Sequence, residues 1–250
     1  TMRDCSGRGG SGNGFDQLPF MVTSSGTVDP ESGTGGYELI FSGFPEDTEF
    51  FLEFFCTEED YLTKKYGYTR THSEVIEALE TITQPCKVLD LGCGRGRNAL
   101  YLARKGFDVT AVDYNQASLD ILQEVMEAED LDLQVGTYDI NSASLIQDYD
   151  WIISTVVFMF LQKDRVPAVI HNMQERTKPG GYNLIVAAMD TADAPCPMNF
   201  NFTFAEGELK RYYKDWELIK YSEDFGELHK LDQHGNRLRM RFATMLARKR

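Results

Sequence analysis

From Thr57 onward the chain alternates between two hydrophobic periods. Thr57, followed by Glu58, Glu59 and Asp60, reads as an N-cap with acids in the first turn. It predicts a helix through Tyr66, stopped by Gly67. A second helix is expected after Thr71 or Ser73, through VIEALETI. Short apolar runs and amphipathic stretches then take turns: CKVLDL, RNALYLARKG, DVTAVD, QASLDILQEVMEAE, LQVGTYDI, WIISTVVFMF, DRVPAVIHNMQERT and GGYNLIVAAM. The strands among them are near-continuous apolar runs, as expected where both faces of a sheet are covered. This alternation predicts an α/β fold, a doubly wound and mostly parallel sheet with helices on both faces. Residues 221–246 read instead as two strands about a turn at Gly235-Asn236, and no repeat recurs at a fixed period.

The front of the chain follows neither period. Residues 1–36 hold nine of the 21 glycines, interleaved with Ser and Thr. Such a composition cannot bury enough apolar surface to order itself well, and the first fourteen residues read as a linker. Tyr37 to Phe44 and Glu49 to Cys56 are aromatic-rich and predict a β-hairpin around Pro45-Glu46-Asp47. Residues 1–56 are therefore expected to be a partly disordered extension, and residues 57–250 the folded domain.

Composition narrows the partners. The 250 residues are 42 % hydrophobic and 26 % charged, a balance that supports a sizeable core. The formal charge is −14, which excludes a general basic field for nucleic acid or anionic lipid. That charge is uneven. Residues 1–60 carry twelve acids against Arg3 and Arg8, whereas residues 220–250 carry eight Lys/Arg against four acids. The longest strongly apolar run, Ile152 to Leu161, is ten residues, half of the ~20 that a spanning helix needs. With no secretory leader pattern at the start, the expected location is cytoplasmic. The five cysteines, at 5, 56, 86, 93 and 196, show no C-x-x-C pair and no zinc spacing, so reduced thiols are expected and no metal.

The chemistry concentrates at Val88-Leu89-Asp90-Leu91-Gly92-Cys93-Gly94-Arg95-Gly96-Arg97-Asn98. An apolar strand ends in a glycine turn and opens a helix, a device that brings backbone N–H groups close to a ligand. The spacing Gly92, Gly94, Gly96 departs from G-x-G-x-x-G, and no G-x-x-x-x-G-K-[ST] phosphate loop occurs. Asp90, inside the strand end, could pair with a cationic group. Asp113 ends the second strand, where an acid can accept from both hydroxyls of a ribose. Asp139 is expected to end the third.

This stretch resembles motif I of the class I S-adenosylmethionine-dependent methyltransferases, whose fold is a seven-stranded Rossmann-like sheet. Longer segments are similar to one family within that class. YGYTRTHSEV, STVVFMFL, KPGGYNLIVAAMDT, GELHK and GNRLRMRFATMLARK resemble the tellurite-resistance methyltransferases of the TehB family, from about Phe55 to Arg250. The resemblance implies S-adenosylmethionine as cofactor, held by Tyr66, Arg70, His72, Asp90, Gly92, Gly94, Arg97, Asn98, Asp113, Tyr114, Asp139, Ile140 and Thr155. Some members carry a β-sandwich-like domain ahead of the methyltransferase, and residues 15–56 look like a shortened version of it.

The end of the fourth strand carries Ser154-Thr155-Val156-Val157-Phe158 and lacks the [DN]-P-P-[YFW] of base-amino methyltransferases, which disfavours a DNA base as target. The activity implied is methylation of tellurite, or selenite, at the chalcogen. Such an oxyanion calls for cationic donors near the methyl group, and Arg70, His72, His229, Lys230 and Arg237 are candidates. His229 and Arg237 are taken as the catalytic pair. Arg239 and Arg241, alternating with Met240 and Phe242, read as a solvated strand face, and Met198 to Phe202 as a lining or lid. Two other readings stay open: a methyltransferase of a small thiol or other metabolite, and a cofactor-binding module without turnover.

Overall fold

The computed structural model describes residues 21–28, 35–42, 58–231 and 237–250. The chain divides into two compact units, Thr1–Thr57 and Glu58–Arg250. In the first, β1 (Met21–Val28) pairs antiparallel with β2 (Gly35–Ser42), Met21 opposite Ser42 and Val28 opposite Gly35. Tyr37 to Ser42 is thus strand, as the aromatic pattern predicts, and it pairs with the segment ahead of it. Residues 49–56 lie outside the described residues.

The second unit runs α1 (Glu58–Tyr66), α2 (Ser73–Ala78), β3 (Lys87–Leu91), α3 (Arg97–Arg104), β4 (Asp108–Asp113), α4 (Gln116–Ala128) and β5 (Gln134–Thr137). It continues with β6 (Tyr149–Thr155), α5 (Val166–Arg176), β7 (Thr177–Ala188), α6 (Glu208–Tyr212), β8 (Glu217–Leu231) and β9 (Arg237–Arg248). The seven strands lie in the order β5-β4-β3-β6-β7-β9-β8. The first five are parallel; β9 runs against them, and β8, antiparallel to β9, runs with them. The chain winds outward from β3 to β5, then crosses back to β6. The order reverses between β3 and β6, and the carboxyl ends of those strands are where such sheets bind ligands.

Strand residues alternate between two cores. Val88, Trp151, Ile153 and Leu184 face α1 to α4, while Leu89, Leu91, Ile152 and Ile185 face α5 and α6. A buried polar group survives in the second core only because it is satisfied. Asn183 donates to Thr177 Oγ1 at 2.7 Å and accepts from the Tyr213 hydroxyl at 2.8 Å.

Several boundaries differ from the pattern. The run WIISTVVFMF is not one strand: β6 stops at Thr155, and Phe158–Phe160 form a 3₁₀ turn. A continuous apolar run does not distinguish a strand from any other fully buried segment. LQVGTYDI shortens to four residues, so Asp139 does not end a strand but caps a 3₁₀ turn over Ile140–Ser142. The second helix starts on a cap supplied by His72, whose Nδ1 accepts from Glu74 N at 3.2 Å, and closes at Ala78. Arg239 is exposed as expected, but Arg241 is only partly solvated. It pairs with Asp193 and donates to the Glu223 carbonyl at 3.0 Å, tying β9 to the loop after β7.

Candidate cofactor and methyl-transfer site

The turn from β3 into α3 is held from beneath by β4. Gly92 N and Cys93 N both donate to Val112 O at 2.9 Å, and Gly96 N returns to Cys93 O at 2.9 Å. Gly96 has φ +85° and a Cβ there would strike Leu122, while Gly94, at φ +55°, has no atom within 4 Å of such a Cβ. One glycine is required by packing. The other leaves open space beside a backbone that a ligand can approach. Asp113 supports the turn through its carboxylate, Oδ2 accepting from Gly94 N at 2.8 Å and Oδ1 from Asn115 N at 2.9 Å. Each oxygen keeps acceptor capacity, since a carboxylate offers about four lone-pair sites.

Asp90 is buried below this turn, 1 % exposed, and its Oδ2 has no hydrogen-bond partner in the structure. Burial pushes its carboxyl up to about 7, against the opposing pull of Arg97 and the Ala99 amide, with Asp113 adding to the rise. An orphaned carboxylate oxygen in the interior is costly unless a donor or cation reaches it.

Around this oxygen, α3 and the segment before α2 form one wall. Arg97 reaches back to Thr69 Oγ1 at 3.4 Å and to the Arg70 carbonyl at 3.3 Å, and Thr71 donates to the Arg97 carbonyl at 3.2 Å. Asn98, 3 % exposed, uses both ends of its amide. Its Oδ1 accepts from His72 N and its Nδ2 donates to Thr155 Oγ1, each at 3.0 Å. Asn98 thus clips the entry to α2 onto the end of β6. His72 is lowered to about 4 by burial first and then by Arg97 and Lys220, so its imidazole is neutral. Since Nδ1 accepts from Glu74, that bond assigns the proton to Nε2 and makes the free edge a donor. Lys220 of β8 bridges Glu74 at 2.7 Å and Glu77 at 2.6 Å, bracing α2 from outside.

On the opposite rim Tyr114 is 76 % exposed, Ile140 is buried and Asp139 is exposed, with Asp139 Oδ1 taken by Asn141 N and Nδ2. Tyr66 is placed differently. Its hydroxyl donates to Glu129, which also binds Lys65 at 2.6 Å and Arg104 at 2.8 Å, a cluster joining α1, α3 and α4. Tyr68 escaped the sequence reading. It is buried beside the turn, its hydroxyl unpartnered and its ring under the Arg95 guanidinium at 5.3 Å. An aromatic amid polar residues ahead of a glycine turn was the available signal.

His229 lies on β8, and Arg237 opens β9 opposite Leu231, so both strands bring their backbones to the end of one hairpin. Their side chains, and the turn between them with His234, lie outside the described residues. The loop after β7 is fastened to the 3₁₀ turn after β6. Asn201 N donates to Met159 O at 3.1 Å, Asn201 Nδ2 to Phe160 O at 3.1 Å, and Phe200 meets Phe160 edge-on at 5.9 Å. Phe202 and Phe204 go into the core.

Known proteins share much of this sequence and fold. Residues 54–246 match the family described as tellurite resistance protein TehB. Over 205 residues the chain is 58 % identical to a probable S-adenosyl-L-methionine-dependent methyltransferase TehB of Haemophilus influenzae, covering 82 % of this chain and 71 % of that one. Hemagglutinin 1 of Eikenella corrodens is 54 % identical over 198 residues, covering 79 % and 66 %. The crystal structure of TehB from Haemophilus influenzae superposes with a TM-score of 0.79 at 48 % identity, covering 92 % of this chain and 87 % of that one. This chain belongs to the TehB family of class I S-adenosylmethionine-dependent methyltransferases.

The residues present suit that family's cofactor. The orphaned Asp90 oxygen fits an ammonium group, the open side of Gly94 fits a close-packed ligand, and Asp113 retains acceptor capacity for ribose hydroxyls. Among the described residues of this TehB-family chain, no helix is long and apolar enough to cross a membrane.

Proposed function

We propose that this chain methylates tellurite, and selenite as a second acceptor, at the chalcogen atom. S-adenosylmethionine supplies a methyl group on a sulfonium centre. Asp90 anchors the amino end of the cofactor, Asp113 the ribose, and Tyr114, Asp139 and Ile140 the adenine side. Methyl transfer is an in-line displacement, so the protein contributes orientation and water exclusion, and a lone pair on the acceptor removes the need for a strong base. His229 and Arg237 orient the oxyanion. Arginine's planar fork matches such an anion, and histidine can donate near neutrality.

The observation that carries this reading is the position of both residues on one hairpin, within a C-terminal section where eight Lys/Arg stand against four acids. Its local charge favours an anion although the whole chain is acidic. A cytoplasmic location belongs to the same reading.

The test is release of S-adenosylhomocysteine with tellurite, selenite or a thiol panel, on wild type and Arg237→Ala, with cofactor affinity measured alongside. Tellurite turnover at least about tenfold lower in Arg237→Ala at unchanged cofactor affinity is expected. Faster turnover of a thiol than of tellurite would make the enzyme a thiol methyltransferase instead.

A further inference from the structure

The chain leaving β6 adopts a conformation that the cofactor cradle alone does not explain. Val156 has φ +62°, in the left-handed region. A β-branched residue there is a true outlier, because its Cβ substituents crowd the neighbouring backbone. Asp130 and Ala143 are the other non-glycine residues at positive φ among the described residues, and neither is β-branched. Strain of this kind persists only where the surroundings enforce it, and it gathers at functional sites.

The surroundings of Val156 do enforce it. Its N–H donates to Val186 O at 2.7 Å, holding it to β7. Its side chain packs on the small cluster of Met159, Ala188 and Met240, shared with Cys196 and Phe242. The left-handed step turns the chain out of the strand and lays Val157 on the glycine turn. A Cβ on Gly92 would lie 2.6 and 2.7 Å from the two Val157 methyl carbons. One residue earlier, Thr155 receives the Asn98 amide. Val156 therefore stands between the last residue of the cofactor wall and an apolar cluster built on β7 and β9, the latter a strand of the hairpin bearing His229 and Arg237.

We propose that Val156 is a positioning residue for methyl transfer. Its strained peptide fixes Val157 against Gly92 on one side and the β7–β9 cluster on the other, and so sets the distance between the cofactor and acceptor halves of the site. The inference rests on methyl transfer by this chain, not on the identity of the acceptor.

Val156→Gly and Val156→Ala test it. Both remove the two γ-methyl groups and their contacts, but glycine accepts the left-handed backbone freely and alanine only at a cost. At an ordinary position the alanine variant is the more stable. Here Val156→Gly is expected to melt above Val156→Ala. Val156→Gly is also expected to lose about tenfold or more in kcat while the dissociation constant for S-adenosylmethionine stays within about threefold, because sub-ångström misplacement acts on the transfer step. Val156→Ala, which keeps the turn by constraint, is expected to retain more kcat than Val156→Gly. The reverse melting order, a glycine variant with wild-type kcat, or a loss of cofactor affinity equal to the loss of kcat would each overturn the proposal. Wild type that leaves tellurite untouched refutes the acceptor assigned above. The same comparison is then made on the thiol that wild type methylates fastest, with the melting order and cofactor affinity read as before.

Discussion

Replacing Asp90 by Asn is expected to stabilise the cofactor-free protein at pH 8 and to abolish much of the stabilisation that the cofactor brings. In the unfolded chain Asp90 ionises near 3.8, whereas burial holds it protonated in the folded protein until about 7. An acid raised on folding leaves stability intact below the unfolded value. Stability is then lost as pH climbs from about 4 to about 7, and the loss is constant above that. The gap between 3.8 and about 7, at about 1.4 kcal/mol per pH unit, comes to roughly 4 kcal/mol. That figure already contains the opposing pull of Arg97, and Asn carries no charge to desolvate, so a net gain of roughly 3–4 kcal/mol is expected. For a domain of this size that is a rise of about 5–15 °C in Tm.

The assay is thermal melting of wild type and Asp90→Asn from pH 4 to pH 9, with and without S-adenosylmethionine. Without cofactor the two melt together near pH 4 and part progressively to pH 7. With cofactor at about 100 times its Kd, wild type gains roughly 2.7 kcal/mol and the variant markedly less. A variant that melts no higher than wild type at pH 8, or a gap that does not close at pH 4, would refute the argument that Asp90 is a buried charge awaiting a cationic ligand.

Gly96→Ala, which meets Leu122 and a left-handed backbone, is expected to cost about 2–4 kcal/mol in denaturant unfolding, and Gly94→Ala, in open space, only about 1–2; equal losses would show that packing does not separate them. Asn98→Ala strands the His72 amide and the Thr155 hydroxyl and should cost about 2–4 kcal/mol, with cofactor affinity down about tenfold by calorimetry. Glu129→Gln should cost about 1–3 kcal/mol and leave cofactor affinity unchanged, because Arg104 sits at the end of α3 opposite the glycine turn. Tyr66→Phe, which removes only the hydroxyl given to Glu129, is likewise expected to bind cofactor as wild type does in the same titration.

Legibility followed the range of the interaction. The glycine turn, Asp90 and Asp113 were readable because strand, turn and helix are contiguous there, and local geometry decides which residue types fit. The antiparallel pair at the C-terminal end was readable for the same reason, its turn residues lying between two alternating runs. Tyr66 and Arg241 were less so. One carries a hydroxyl and the other a guanidinium whose partners, Glu129 and Asp193, are 63 and 48 residues away. Nothing in the spacing of either residue points to such a partner.

By itself the sequence determined most of the alternation of strands and helices, the glycine turn at the end of the first parallel strand, and the charge contrast between the two ends of the chain. All three follow from local period, turn chemistry and composition. Only the tertiary structure decided that β6 ends at Thr155, that an amide from α3 clips His72 to that strand, and that Val156 is driven to φ +62°. An apolar run satisfies many buried conformations equally well. Contacts from β7, β9 and α3, distant in sequence and adjacent in space, select one of them.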